Sequence, residues 1–228
     1  MNNITTVGRW IGASMLLSFA LGMYSNFKLQ TDLFVGEGLL VNAAQHPYRI
    51  GLIAVIGLCT SLLKLWVAAL VSAHFRRSHP AIVTFYFGLA AAALAISLIE
   101  CSTLVAFASL SEAYTAAGPH AGELFLPAKS LLTGLRNSIH FMDVLIGGAS
   151  VLVFFAFLYR ARLVPRALAV VGIAAATAQM FSVGRPLFGL PVIYPLIAPL
   201  ALVYLTLLCW LLVKGFPKEA NAQRAVDG

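Results

Sequence analysis

Long apolar runs divide this chain more clearly than any other feature of its sequence. Six such runs, most of them about 20 residues long, are separated by short polar or basic segments. A bilayer crossing needs about 20 mainly apolar residues, and a helix satisfies its own backbone within lipid. The sequence therefore predicts an all-α integral membrane bundle of six transmembrane helices, forming one domain over residues 1–228. The predicted spans are residues 10–24, 50–73, 81–110, 137–159, 165–183 and 191–213.

The charged residues argue against a soluble or a nucleic-acid-binding protein. Only 10% of the residues are charged and 61% are hydrophobic, whereas a soluble domain typically carries about 25% charged residues. The net charge of +7 comes from short clusters between the apolar runs, without the continuous basic face that binds nucleic acid. The lipid bilayer is the expected partner. Cys59, Cys101 and Cys209 fall in apolar runs without metal-ligand spacing, so we expect neither a disulfide framework nor a zinc site.

The distribution of basic residues between alternating loops predicts the orientation. Counting Lys and Arg in the alternating loops and at the adjoining span ends gives nine on one side of the membrane and five on the other. Basic loops stay on the cytoplasmic side, so both termini are predicted to be cytoplasmic, in a bacterial cytoplasmic (inner) membrane. The more basic side has Arg9, Arg76, Arg77, Arg160, Arg162, Arg166, Lys214, Lys218 and Arg224, and the other has Lys28, Arg49, Lys129, Arg136 and Arg185.

The first apolar run and the two longest segments between spans have features beyond simple hydropathy. The first apolar run resembles a signal peptide, but we predict a retained helix because Ser14, Ser18 and Gly22 have the four-residue spacing that lets membrane helices pack closely. Residues 26–49 are too polar to span a membrane, and one short interfacial helix is expected there. Residues 111–135 contain two prolines and are predicted to form the longest loop, with one short surface helix.

Four ionisable residues lie inside the predicted spans, namely Lys64, Glu100, His140 and Asp143. A charge at the bilayer centre costs about 2.5–3.5 kcal/mol on insertion scales, so such residues usually face the interior of a bundle. Small and polar residues share a helical face with each of the four, which indicates the same orientation. The helical rise predicts a common depth in the outer third of the membrane for Glu100, His140 and Asp143, with Lys64 closer to the midplane.

These residues predict an outward-facing polar cavity. The candidate ligand-binding residues are Glu100, His140, Asp143, Arg136, Gln179 and Lys64. Arg136 is included because it lies one turn from His140 on the same face, and Gln179 because the fifth span brings it to a similar depth. For Lys64, pairing with a counter-ion is the alternative. For the whole cluster, the alternative is a set of buried hydrogen bonds and ion pairs that fix helix register.

Metal and cofactor sites are not predicted, although one histidine and two carboxylates are possible metal ligands. His140 is the only histidine inside a predicted span, and its spacing from Asp143 is a single i, i+3 pair. The chain also has no Gly-x-Ser-x-Gly elbow and no Gly-rich phosphate loop. We therefore assign no cofactor, no metal and no catalytic residue.

Four short segments resemble a known family. They are VNAAQHPYRIGL at the start of the second span, SLIECSTLVAF around Glu100, LYRARLVPRALAVVGIAA after the fourth span and CWLLVKGF at the end of the sixth. In this order they resemble the DUF4386 family of bacterial six-span membrane proteins. Where members often carry acidic residues, this chain has Ala54 and Tyr204, while Glu100 is retained. The resemblance implies an integral membrane protein without an established activity.

The sequence leaves three functions open. The first is non-enzymatic binding of a small amphipathic or lipid-like ligand in the outward-facing cavity. A membrane-embedded enzyme would use the same residues for acid-base or metal chemistry, and an accessory subunit would use them for structure alone. An inverted-repeat transporter is not indicated, because the two halves differ in span length and neither shows a clear break in mid-helix. The sequence predicts neither the ligand nor the oligomeric state.

Overall fold

The computed structural model describes residues 3–35, 38–118 and 122–217, and within these ranges the chain is helical and has no strand. The helices are α1 (Ile4–Tyr24), α2 (Thr31–Phe34), α3 (Leu39–Gln45), α4 (Pro47–Phe75), α5 (Pro80–Ala117), α6 (Gly122–Arg160), α7 (Arg166–Gly184) and α8 (Ala198–Lys214). A π-helical stretch, Ser25–Gln30, joins α1 to α2, and two 3-10 turns lie between α7 and α8. Six helical stretches of the described chain are long and apolar enough to cross a membrane, which confirms the predicted all-α fold. Lys218 and Arg224, used for the predicted orientation, lie outside the described residues.

Prolines and glycines set several of the helix ends. Pro47 and Pro80 are the first residues of α4 and α5, a position where a helix loses no hydrogen bond through the missing N–H. Gly118 follows α5 with a φ of 75°, and Gly215 follows α8 with a φ of 65°. Both lie in the left-handed half of φ space, which glycine adopts without strain and which stops a helix.

The six long helices form a closed ring in the order in which they occur in the chain. Helix α1 packs against α4, α4 against α5, α5 against α6, α6 against α7 and α7 against α8. Helix α8 packs against α1 and closes the helical ring, while the short α3 lies against α5. The contact between α7 and α8 is the least extensive of these six. Every long helix can therefore contribute to the central space.

Two glycines of α1 allow the helical ring to close on α8. A Cβ atom at Gly12 would lie 2.9 Å from the Cβ of Leu211 and 3.0 Å from the backbone nitrogen of Leu212. A Cβ atom at Gly8 would overlap the backbone that immediately follows α8. The two helix backbones thus approach more closely than any larger residue at these positions would allow.

The face of α1 that was predicted to pack closely is not the face that meets α8. Ser14 and Ser18 line the central space instead. A Cβ atom at Gly22 would meet no described atom within 4 Å. The close contact belongs to Gly8 and Gly12, which have the same four-residue spacing. Spacing reveals a face of small residues, but it does not reveal which neighbour, if any, that face meets.

Phenylalanines fill one end of the helical ring, the end that carries the basic turns at residues 76–79 and 161–165. We call this buried group the aromatic plug, and it consists of Phe75, Phe154, Phe157 and Phe216. The centroid of the Phe75 side chain lies 5.1 Å from that of Phe157 and 5.8 Å from that of Phe216, both in edge-to-face geometry. Such contacts are favourable because the positive edge of one aromatic group meets the negative face of another. The plug therefore occupies space between the helices at the basic end.

The segment predicted as the longest loop is largely helical, so that prediction was wrong. Helix α5 continues to Ala117, and α6 begins at Gly122 with Pro127 in its second turn. At 38 residues α5 is about 57 Å long, far more than the roughly 30 Å hydrocarbon core of a bilayer. Pro127 removes one hydrogen bond near the beginning of α6, where the helix continues past it. The α5–α6 hairpin therefore extends well past the other long helices on the side opposite the plug.

Helix α3 packs against this extension. Ser111 of α5 is fully buried, and its hydroxyl donates to the Leu40 carbonyl over 2.6 Å and accepts from the Ala44 N–H over 2.7 Å. Those two backbone groups would pair in an uninterrupted helical turn, so the hydroxyl bridges them. Phe107 is buried beside this contact among apolar residues of α3 and α4. A short helix, α3, is thus present within residues 26–49 and packs on α5, but residues 25–34 continue the first helical stretch and α4 begins at Pro47.

Candidate functional site

A cavity of about 270 Å³ lies at the centre of the helical ring and is lined by residues from all six long helices. Small-molecule sites usually measure about 300–1,000 Å³, so this cavity is near the lower end of that range. It corresponds in size to roughly nine water molecules at about 30 Å³ each. Phe154 of the aromatic plug forms part of its lining toward the basic end. The space therefore suits a small ligand.

Eight polar side chains line this cavity. None of them makes a hydrogen bond or an ion pair with another residue in the described ranges. Three of the eight are buried and five are partly or fully exposed, and a polar group that a ligand covers needs such a partner. The eight are Ser14, Ser18, Lys64, Tyr86, Asp143, Ser150, Gln179 and Tyr204. The cavity thus presents a set of donors and acceptors that a bound molecule can satisfy.

Two of the lining residues carry opposite charges. Lys64 belongs to α4 and Asp143 to α6, and α5 lies between these helices in the helical ring. The two side chains do not form an ion pair, although the carboxylate of Asp143 lies within electrostatic range of the Lys64 ammonium group. Both therefore face the interior of the ring while leaving their charges available.

Two tyrosines that the sequence analysis did not assign to the site also line the cavity. Tyr86 of α5 is almost fully buried, and its aromatic ring stacks on that of Phe154 with centroids 5.2 Å apart. The aromatic ring of Tyr204 in α8 has its centroid 6.3 Å from that of Phe19. Both tyrosines lie inside spans, away from the interfaces where Trp and Tyr of membrane proteins concentrate, and this position is the signal that could have identified them.

Glu100 and His140 contact each other directly. The Nδ1 atom of His140 lies 2.9 Å from the Oε1 atom of Glu100, and this contact joins α5 to α6. His140 precedes Asp143 by three residues, so it lies about one turn farther from the basic end. Neither Glu100 nor His140 is among the residues that line the cavity. The predicted cluster thus divides into a pair that joins two helices and a carboxylate, Asp143, that faces the cavity.

The remaining two predicted contacts, Gln179 and Arg136, have different surroundings. Gln179 of α7 lines the cavity. The guanidinium carbon of Arg136 lies 4.7 Å from the centroid of the Phe34 side chain, which is a cation–π contact. The Nε atom of Arg136 is buried and has no hydrogen-bond partner in the described part of the chain. Of the two residues, Gln179 belongs to the cavity and Arg136 lies one turn beyond His140, outside it.

The side chains of the cavity favour binding through hydrogen bonds and charge. Among the residues that the structure describes, no group of three or more His, Cys, Asp and Glu side chains could hold a metal ion. The cavity lining contributes one carboxylate, from Asp143, together with one ammonium group, from Lys64. The site can therefore bind a ligand through these two charges and through the neutral hydrogen-bonding groups around them.

Comparisons with known proteins gave one match. A family model described as "Domain of unknown function (DUF4386)" matches residues 10–215, which confirms the resemblance seen in the four short segments. A search of curated proteins and a search of solved structures each gave no match. The matched range includes every residue that lines the cavity.

Proposed function

The chain belongs to the DUF4386 family, a domain of unknown function, and we propose that its central cavity binds a small amphipathic or lipid-like ligand. The set of eight polar side chains without a partner in the described protein is the observation that carries this proposal. The proposed setting is a single-domain, multi-pass protein of the bacterial cytoplasmic membrane with both termini on the cytoplasmic side.

The mixed character of the cavity favours an amphipathic ligand. Apolar side chains such as Val67, Phe154 and Leu200 line it together with the charged and hydroxyl groups. A purely apolar ligand would displace water from Lys64, which is exposed, and from Asp143, which is half-buried, without giving either charge a partner, and this is costly. A purely polar ligand would leave the apolar side chains against polar atoms. A molecule with both characters satisfies the whole lining.

The aromatic plug favours access from the end of the helical ring that lies opposite the basic turns. Its phenylalanines are buried and occupy the space between the helices at the basic end. The positive-inside rule assigns the basic end to the cytoplasm, so in our proposal the ligand enters from the outer side.

The predicted site residues take two different roles in this proposal. The direct ligand contacts are Lys64, Tyr86, Asp143, Gln179 and Tyr204. The contact between Glu100 and His140 holds α6 against α5 and so fixes the rotation of α6 that turns Asp143 toward the cavity. Arg136 acts in the same indirect way through its contact with Phe34. A purely structural role predicts that polar groups within the spans pair with each other, which fits Glu100 and His140 but not the groups that line the cavity.

Filling the cavity with a bulky side chain should abolish ligand binding. Gly147 lines the cavity, and a Cβ atom there would meet no described atom within 4 Å, so the indole of Gly147→Trp would extend into the open space. We expect saturating 1,2-octanediol, a neutral amphiphile, to raise the thermal unfolding midpoint of the wild-type protein in lipid nanodiscs, because a ligand at 100 times its Kd stabilises by about 2.7 kcal/mol. The variant should show no such rise.

A tryptophan elsewhere on the same helix provides the matched control. Gly134 of α6 is exposed, lies outside the cavity, and also has no described atom within 4 Å of an added Cβ. Gly134→Trp should respond to the diol as the wild type does. Equal stabilisation of all three proteins by the diol would contradict the proposed function. So would a wild-type protein that neither the diol nor a charged amphiphile of similar size stabilises.

A further inference from the structure

The charges of the cavity indicate the chemical class of its ligand, an inference that rests on the proposed binding function. Of the described residues that line the cavity, Lys64 is the one cation and Asp143 the one anion. The lining is therefore neutral as a whole, although it carries a full charge of each sign. Glu100 and His140 lie outside it and pair with each other.

The fold supplies these two charges from different helices, without a direct ion pair between them. Lys64 and Asp143 come from α4 and α6, which are separated in the helical ring by α5. They do not form an ion pair, and neither makes a hydrogen bond to another residue in the part of the chain that the structure describes. Lys64 is exposed and Asp143 is half-buried, so both charges are open to water. A ligand that fills the cavity displaces that water and must supply a partner to each charge.

We infer that the ligand carries a zwitterionic head group, with an anionic group against Lys64 and a cationic nitrogen against Asp143. Such a head group supplies a partner to each charge and leaves the filled cavity neutral. The aromatic faces of Tyr86 and Phe154 offer a further favourable surface for an alkylated ammonium group. The amide of Gln179 offers hydrogen bonds to the anionic group.

A ligand with a single charge would fit less well. An anion would pair with Lys64 but would leave the carboxylate of Asp143 buried without a partner, and a cation would do the reverse. A charge that a ligand buries without giving it a partner bears the full free-energy cost of desolvation. The lining therefore discriminates against either kind of singly charged molecule.

A series of probes with matched short alkyl chains tests this inference. The zwitterion is N-hexyl-N,N-dimethylglycine, the cation is hexyltrimethylammonium, the anion is heptanoate, and 1,2-octanediol is the neutral reference. Binding is measured by calorimetry on the protein in nanodiscs of a neutral lipid, with empty nanodiscs subtracted. We expect the zwitterion to bind about tenfold more tightly than either singly charged probe, because a singly charged probe leaves one charge of the cavity without a partner.

Neutralising each charge should shift the preference in opposite directions. Lys64→Met keeps the length of the side chain and removes the cation, so hexyltrimethylammonium should become the preferred charged probe. Asp143→Asn keeps the volume and removes the anion, so heptanoate should become preferred. A merely structural role for the two residues would not produce these opposite shifts. Lys129→Met and Glu112→Gln, which change exposed residues outside the cavity, should keep the wild-type order.

The neutral probe separates failure of this inference from failure of the proposed function. If the diol binds and Gly147→Trp blocks it, but a singly charged probe binds the wild type as tightly as the zwitterion, the inference is overturned and the binding function stands. If no probe binds the wild type, both fail. A charge variant that no longer binds the diol has lost the cavity itself. In that case the order of affinities of the four probes for the wild-type protein tests the inference by itself.

Discussion

Replacing Gly12 by leucine should open the helical ring and lower the free energy of unfolding by about 3 kcal/mol. The Cβ atom alone would lie 2.9 Å from the Cβ of Leu211 and 3.0 Å from the backbone nitrogen of Leu212, so α1 would have to move away from α8. Because a helix backbone cannot yield as a flexible side chain does, the whole contact would be lost. Thermal unfolding in detergent and size-exclusion chromatography measure the two consequences.

Gly22→Leu is the matched control for this change. It introduces the same side chain into the same helix, at a position where an added Cβ meets no atom of the described chain within 4 Å. Its stability should stay within about 0.5 kcal/mol of the wild type. A Gly12→Leu protein that unfolds at the wild-type temperature and elutes as the wild type does would show that α1 and α8 do not approach as closely as described.

Ser182→Ala should destabilise the connection between α7 and α8 by roughly 2–4 kcal/mol. The Ser182 hydroxyl is fully buried, donates to the Ile193 carbonyl and accepts from the Ile193 N–H, both over 2.9 Å. Alanine would leave both backbone groups of Ile193 without their partner, and each unsatisfied group costs about 1–3 kcal/mol. Hydrogen exchange should show faster exchange of the amides in residues 190–197, together with a lower unfolding midpoint.

Thr177→Ala removes a hydroxyl from the same helix without this consequence. The Thr177 side chain is exposed and donates to the Ile173 carbonyl within α7, so its loss should cost less than about 0.5 kcal/mol. Amide exchange in residues 190–197 should be unchanged in this control. If exchange there is also unchanged in Ser182→Ala, the serine does not hold the connection.

The number of spanning helices and several of their ends could be predicted from hydropathy, but the extension of α5 and α6 past the lipid could not. Apolar runs reveal the part of a helix that lies in lipid, because lipid selects for apolar side chains along its whole thickness. The continuation of α5 to Ala117 lies past that region, and it is stabilised by contacts between distant parts of the chain, such as the hydrogen bonds of Ser111 to α3. No local pattern marks such contacts.

The candidate site could be predicted in part for a similar reason. Depth along each span placed Glu100 and His140 at a common level, and the structure has them in contact. The same reasoning grouped Asp143 with them, but a helix turns 100° per residue, so side chains three residues apart differ by about 60° around α6. That angle separates a residue that meets α5 from one that faces the cavity. Tyr86 and Tyr204 were not assigned to the site because an apolar span looks alike on its lipid face and its inner face.

The contact between α1 and α8 joins the earliest-made helix of the ring to the latest-made one. Every other contact of the ring is between consecutive long helices, so it can form as soon as the second helix of the pair has entered the membrane. During synthesis, the face of α1 that carries Gly8 and Gly12 therefore has no partner helix until α8 has left the ribosome. Helix α8 also supplies Leu200 and Tyr204, so the cavity gains its last side at the same moment. A nascent chain that has reached only α7 thus has neither a closed ring nor a complete binding site.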